Sequence, residues 1–383
     1  DGAEPDQLVA LTVAARALAD ADAGAGRAQR RDRAGVILGR GGYLTPGMAR
    51  LSDRVRGAQQ LVTTLAELVP ELAAATLERV GAAYRARTGD PGPETAIGLV
   101  PNLAASRIAN RLDLRGPAYT VDAACASSLL AVDQGCRELA LGRCDLILAG
   151  GVHVCHDVTF WSVFTQLGAL SRSQAIRPFD RRADGILIGE GAGVLALKRL
   201  ADAERDGDRI YAVIHGTGVS SDGRDASPMR PGMDGQLAAL TQAWQASGLD
   251  PGSVGLVEAH GTGTPTGDEV ELHTLARFFG AATTDRPRAT LGSVKSMIGH
   301  AMPAAGAAGL IKAALAIHHA VLPPSLHCEE PHPALASSRF RVHGAAEPWT
   351  GSPRRAGVRA FGFGGSTAHV VLAAPAGAPA GAP

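Results

Sequence analysis

A cysteine, two histidines and a lysine stand where the chain must turn sharply between a strand and a helix. Cys125 lies in TVDAACASSLL (120–130), after the apolar run AYTVDAA and before ASSLLAVDQGCRELALG, where Leu129, Leu130, Val132, Cys136 and Leu139 have helical spacing. At such a junction the unpaired N–H groups and positive end of the helix favour a thiolate and can hold a developing oxyanion. A small residue packed in a tight turn fits the same position, and this stretch leaves both readings open.

His260 lies in GLVEAHGTGTPTGDEVELHTL (255–275), at the end of a second strand-like run and inside a Gly/Thr-rich loop. Its glycines permit unusual backbone angles and close ligand approach, while Thr262 and Thr264 offer hydroxyls to an amide-containing ligand. Lys295 and His300 lie in LGSVKSMIGHAMPAAGAAGLIKAAL (291–315), just before a helix of small residues. The helix start and Lys295 both disfavour imidazolium, so His300 reads as a neutral hydrogen-bond donor near pH 7, the state that stabilises an enolate. For both histidines a structural ring satisfied by the backbone remains open. RAFGFGGSTAHVVLA (359–373) is a glycine-rich turn that runs into a strand, so it is no dinucleotide fingerprint, which joins a strand to a helix. Its glycines suit a mobile or strained loop beside a pocket.

The elements that must hold these residues alternate. Segments 34–39, 118–124, 145–152, 193–200, 211–219, 255–261 and 368–374 read as strands. Segments 6–22, 65–86, 126–141, 235–247, 267–279 and 303–319 read as helices. Several strands are apolar on both faces, as in sheets covered by helices on each side, which predicts a layered α/β architecture. Residues 44–92 are more polar and helical and read as an excursion from that core. The final 375–383, PAGAPAGAP, has linker composition, as expected of a piece of a longer chain.

Bulk properties narrow the function. In 383 residues, 37 Lys plus Arg balance 37 Asp plus Glu with no long like-charged run, which argues against nucleic-acid or anionic-membrane partners. The longest apolar segment, AAGAAGLIKAALAI, is too short to span a bilayer and carries Lys312, and the N-terminus reads as an amphipathic helix rather than a secretory signal; a cytoplasmic location is expected. Five cysteines argue against a disulfide framework. Cys144, His153, Cys155 and His156 lack the paired spacing of a zinc site, so packed roles are expected of them and no metal.

Taken together, DAACASS, EAHGTGTPTGD, KSMIGHAMPAAG and GFGGSTAHV resemble, in order and separation, four signature segments of β-ketoacyl synthases of the thiolase-like superfamily. SRIANRLDLRGPAYTVD, IRPFDRRADGILIGEGAG and VLPPSLHCEEPHPAL extend the resemblance over 95–374. Within the family, GRGGYLTPG (39–47), AACASS, CHDVTFWSVFTQLGALS and KSMIGHAMPAAG look most like synthase domains of iterative type I polyketide synthases that make enediyne polyenes. Polyunsaturated fatty acid synthases are the next nearest.

The resemblance implies a five-layer αβαβα thiolase-like fold in two similar halves, 1–200 and 201–374, assembled as a homodimer. It implies decarboxylative Claisen condensation, in which Cys125 accepts an acyl group from an acyl carrier protein and the enolate of malonyl carrier protein attacks it. The oxyanion hole would be the N–H groups of Cys125 and Phe363. His260 and His300 would hold the malonyl thioester oxygen, Lys295 would orient and tune them, and Thr262, Thr264, Phe363, Gly364 and Gly365 would bind substrate. No cofactor beyond the carrier's phosphopantetheine is implied, and neighbouring acyltransferase and other synthase domains are expected partners. Retention of Cys125, His260 and His300 argues against a non-condensing relative, and two histidines with a lysine exceed what a Cys–His hydrolase needs.

The chain departs from the family at three places. GFGGSTAH keeps a hydroxyl at Ser366 but has Thr367 where the family has an amide, which bears on how the loop is anchored. Gly309 stands where small discrete fatty-acid synthases carry a glutamate. Family members also begin with a further segment that includes an opening core strand.

Overall fold

Two mixed sheets, stacked with helices between and outside them, carry the fold in the computed structural model. The structure describes residues 3–26, 28–42, 45–89, 92–155, 157–224, 231–284 and 286–377. The first sheet holds β1 (Ala34–Gly39), β2 (Ala118–Val121), β3 (Leu146–His153) and β4 (Gly191–Leu197) in the order β2-β1-β3-β4, with β4 antiparallel to β3. After β5 (Val213–Ser221), β6 (Leu256–Glu258) and β7 (Ala289–Gly292) come three two-residue strands, β8 (Val321–Leu322), β9 (Phe340–Arg341) and β10 (Glu347–Pro348). β11 (Arg355–Gly362) and β12 (Ser366–Ala373) then complete a second sheet of order β5-β12-β11-β6-β7-β9, while β8 and β10 pair apart.

The helices are α1 (Pro5–Ala25), α2 (Pro46–Ser52), α3 (Ala58–Leu68), α4 (Ala74–Arg87), α5 (Pro93–Gly98), α6 (Leu103–Leu112) and α7 (Ser127–Ala140). α8 (Val158–Gln166), α9 (Leu200–Asp206), α10 (Met233–Ser247), α11 (Pro265–Phe279), α12 (Lys295–Ile298) and α13 (Ala305–His319) follow. α1 and α6 cover the outer face of the first sheet, α7 and α13 fill the space between the sheets, and α10 and α11 cover the outer face of the second. That is the five-layer αβαβα order.

Strand periodicity explains the layering. Along β3, Ile147 and Ala149 enter the central core with α7 and α13, whereas Leu146, Leu148 and Val152 enter the outer core with α1 and α6. Successive side chains point to opposite faces, so a strand buried on both must be apolar throughout. Ile147 is fully buried. Its replacement by alanine is expected to cost about 2–5 kcal/mol of stability, read as a lowered denaturant midpoint at unchanged slope.

The structure corrects several predicted boundaries. The helix expected over 65–86 is two, α3 and α4, because Pro70 drives Val69 out of helical geometry (φ −135°, ψ 71°). The strand expected over 118–124 ends at Val121, since Ala124 takes a left-handed φ of 50°. β7 and β11 were not predicted. Polar residues hide both, and in β11 Arg359 is itself buried. α6, α8 and α9 were likewise unpredicted. The excursion at 44–92 is helical as expected, with a π turn at Asp53–Gly57 leading into α3, which packs on α4. Tyr43 and Leu44 of the 39–47 segment, His156 and the end of the 375–383 tail lie outside the described residues.

The two sheets differ at one edge. In the second, β5 pairs with the outer side of the last antiparallel strand, β12; in the first, β4 has no such partner among the described residues. A cavity of about 600 Å³ runs along that open side, lined by Val194, Leu195 and Leu197 of β4 and by Ile214, Leu310 and Leu372. Among the described residues no helix is long and apolar enough to cross a membrane.

Candidate active site

Cys125 sits on a tight elbow between β2 and α7. The Asp122 carboxylate accepts the N–H groups of Ala124 (2.9 Å) and Gly42 (2.7 Å). Ser127 Oγ accepts from the Ala123 N–H (2.8 Å) and donates to the Ala124 carbonyl (2.5 Å). These bonds hold Ala124 in its left-handed conformation, and strain so over-determined is the kind stored at reactive positions. Cys125 is 4% exposed, and burial pushes its thiol up to about 12, with Lys295 pulling the other way. Desolvation thus works against the thiolate that the helix end and Lys295 favour.

The imidazoles are held by their backs. The Phe361 N–H donates to His260 Nδ1 (3.2 Å), and the Met302 N–H donates to His300 Nδ1 (3.2 Å). A neutral ring that accepts at Nδ1 carries its proton on Nε2. Burial, then the Lys295 charge, drives both rings well below the ordinary histidine range. The two rings stand edge to face with centroids 5.5 Å apart. Both are thus neutral Nε2–H donors, and in this tautomer neither can take the thiol's proton.

Lys295 stands behind this pair. It is 2% exposed, does not line the cavity, and its Nζ donates to the His260 carbonyl oxygen. It therefore acts on the site through His260 and through its charge. Glu271 holds the same loop from α11, its carboxylate accepting the N–H groups of His260 (2.9 Å) and Gly261 (2.8 Å).

Cys125, His260, His300, Thr262, Thr264, Phe363 and Gly365 line one cavity of about 300 Å³, and Gly364 lies on the loop just outside it. Phe164, Leu167, Ile186 and Met302 make its apolar wall, suited to an acyl chain. Thr262 and Thr264, with hydroxyls 3.0 Å apart, give it a polar side fit for an amide. The end of β11 abuts the cysteine elbow so closely that a Cβ on Gly362 would stand 2.1 Å from the Ala123 carbonyl oxygen. That approach puts Phe363, the next residue, on the cavity that Cys125 lines. Neither the Cys125 nor the Phe363 N–H donates to another backbone group among the described residues, so both can serve an oxyanion.

The altered loop has its own anchor. Thr367 is buried in β12, paired with Phe361 and Ser220, and the Asp222 N–H donates to the Gly365 carbonyl (3.0 Å). Asp222, Glu271 and the apolar wall were missed in the sequence: Asp222 and the wall lie far along the chain from the residues they serve, and Glu271, though only 11 residues from His260, reads as an ordinary charge on a helix. At Gly309, a Cβ would stand 2.9 Å from Cγ of Glu258, whose carboxylate pairs with Lys312 (2.9 Å), so no glutamate fits there. Cys144 and Cys155 flank opposite ends of β3, roughly 25 Å apart at about 3.3 Å per residue, and cannot share one metal ion.

An α/β fold of this layering, with a buried thiol facing two imidazole N–H donors, defines the thiolase-like class of acyl-thioester enzymes. Residues 2–203 match the N-terminal domain of β-ketoacyl synthase and residues 211–329 its C-terminal domain. The chain is 45% identical over 275 residues, 71% of its length, to one of the phenolphthiocerol/phthiocerol polyketide synthase proteins of Mycobacterium tuberculosis. It is 44% identical over 299 residues, 74% of its length, to polyketide synthase ThaG of Burkholderia thailandensis. It spans 15% of the first of these proteins and 5% of the second. Among solved structures, the ketosynthase from module 6 of the bacillaene synthase of Bacillus subtilis 168 superposes with a TM-score of 0.79 at 31% identity, covering 97% of this chain and 60% of that one. The PfaC keto synthase–chain length factor superposes with a TM-score of 0.85 at 32% identity, covering 98% and 39%. The chain belongs to the β-ketoacyl synthase family, and it is an acyltransferase of the ketosynthase kind found in type I polyketide synthases. The enediyne-type likeness is a finer reading than these relatives carry.

Proposed function

We propose that this chain extends a carrier-bound acyl group iteratively, within a larger polyketide synthase, by decarboxylative condensation with malonyl carrier protein. Cys125 takes the acyl group from an acyl carrier protein thioester and releases the carrier thiol. The malonyl C–CO2 bond then breaks, and its electron pair moves into the thioester carbonyl, whose oxygen accepts from Nε2–H of His260 and His300. The enolate carbon attacks the acyl-Cys125 carbonyl; the N–H groups of Cys125 and Phe363 hold the oxyanion, and its collapse expels the Cys125 thiolate. Thr262 and Thr264 bind the pantetheine arm, and Phe363, Gly364 and Gly365 form the loop over it. These steps use no cofactor but the carrier's phosphopantetheine. Acyl carrier protein, a second copy of the chain and neighbouring acyltransferase domains are the partners, and 1–200 and 201–374 are the two halves.

The observation that carries this reading is the double lock at Nδ1, which leaves two neutral Nε2–H donors on a cavity shared with a cysteine. The iterative, enediyne-polyene kind is supported by the GRGGYLTPG and CHDVTFWSVFTQLGALS segments. Likeness to the PfaC protein favours a second reading, a polyunsaturated fatty acid synthase domain. Intact mass spectrometry after incubation with acyl and malonyl carrier proteins is expected to show an acyl adduct on the chain and a β-ketoacyl product on the carrier. No adduct from a competent acyl donor would sink the ketosynthase reading. With a ketoreductase and a dehydratase supplied, repeated additions ending in a conjugated polyene support the enediyne kind, and a single addition contradicts it.

A further inference from the structure

We propose that Arg359 is a positioning residue for His260, a buried guanidinium that holds both the Glu271 carboxylate and Phe361 where they fix the imidazole as an Nε2–H donor. This rests on the role given to His260 above. The Arg359 side chain is 1% exposed, and its Nη1 lies 3.5 Å from Oε1 of Glu271, itself 1% exposed. Nη2 donates to Gln236 Oε1 (3.0 Å), and Cζ stands 4.8 Å from the centroid of the Phe361 ring. Arg359 and Phe361 are two apart on β11, so they share a face of the strand.

One cation therefore touches the two groups that hold His260 from different sides. Glu271 binds its main chain, and Phe361 supplies the N–H on Nδ1 and packs its ring 4.9 Å from the imidazole. Without Arg359, the buried Glu271 carboxylate loses its counter-charge, a costly state that is relieved by moving the loop or by drawing a proton toward it. Protonation at Nδ1 of His260 would set two N–H groups face to face and break the lock.

The charges around His260 define the direction. Lys295 from α12 and Arg359 from β11 oppose a positive imidazole, as does His300 across the cavity. Glu271 on α11 and Glu258 at the end of β6 favour it, Glu258 being already paired with Lys312, and Cys125 faces the same cavity. Removing Arg359 deletes one opposing charge and uncovers one favouring charge. His260 then protonates at higher pH. Removing the charge of Glu271 does the reverse.

The test uses the whole chain and its R359M, R359K and E271Q variants, each labelled with 15N-histidine. His260 is titrated by NMR, its signal assigned by its loss in H260A, and CO2 release from malonyl carrier protein is followed over the same pH range. In R359M the His260 titration and the acid limb of CO2 release are expected to move up together by at least about one pH unit, a tenfold change in the neutral fraction on that limb. R359K should stay near the parent, and E271Q should move the other way, which keeps the test open if R359M fails to fold. An unchanged His260 titration in R359M, or the same downward shift in R359M and E271Q, overturns the proposal. If His260 shifts as stated while the parent releases no CO2, the positioning role stands and the ketosynthase role of His260 falls.

Discussion

Replacing Cys125 with alanine is expected to abolish acyl loading and condensation, by more than about 10⁴-fold, while decarboxylation of malonyl carrier protein persists. The two functions separate because they use different atoms. Loading needs the Sγ that becomes a thioester, whereas decarboxylation needs only the Nε2–H donors of His260 and His300, whose partners are the Met302 and Phe361 N–H groups and not Cys125. The substitution removes one small group from a cluster that includes Phe164, Ile186 and Met302, so the fold survives. Intact mass measurement and CO2 release check the two halves of the claim. An acyl adduct on the alanine variant, or condensation at the parent rate, would contradict it.

Changing His300 to alanine should invert that pattern: decarboxylation falls about 10²–10³-fold, the effect of deleting one preorganised donor to a developing oxyanion, and loading of Cys125 falls far less. Burial sets the accompanying pH dependence. His300 is 3% exposed, and desolvation together with Lys295 holds it well below the usual histidine range. Its neutral, donating form therefore persists on acidification past pH 6.5, and the parent's decarboxylation should be flat through that region. Greater loss of loading than of CO2 release in the variant would refute the enolate role.

The site was legible where its chemistry leaves a local trace. Cys125 and His260 each follow a short apolar run and precede a helix, so their placement after strand ends could be read from neighbours in sequence, and His300 could be read as standing just before the small-residue helix α13. What made their convergence readable was the ordered set of segments, not any one of them. Lys295 reads from sequence as part of the machinery, and it acts one step back, through the His260 carbonyl.

Arg359, Glu271 and Asp222 left no such trace. Each is a polar residue whose partner arrives from another element, and a buried charge looks, in a sequence, like a surface one. For the same reason Arg355 and Arg359 concealed β11, although Val358 and Ala360 between and beside them are core residues. The helix end beside Cys125 is visible in its own stretch, whereas the burial that works against a thiolate is not, because the side chains packed with it, Phe164, Ile186 and Met302 among them, come from distant parts of the chain. Pro70 is a different case: the break between α3 and α4 follows from a local rule that the 65–86 helix ignored.

The open side of β4 is where, among the described residues, the first sheet can still be extended. A strand without a neighbour presents a row of N–H and C=O groups that any extended segment can ladder onto, and natural sheets blunt such rows with charge, bulges or cover. Here Gly191–Leu197 is apolar along its length, and Lys198 and Arg199, the first charges after it, are drawn into ion pairs with Asp206, Asp208, Asp145 and Asp202. The edge is thus undefended by its own side chains. A strand laid along Gly191–Leu197 would find its whole row of N–H and C=O groups free among the described residues, and would cap the first sheet as β5 caps the second.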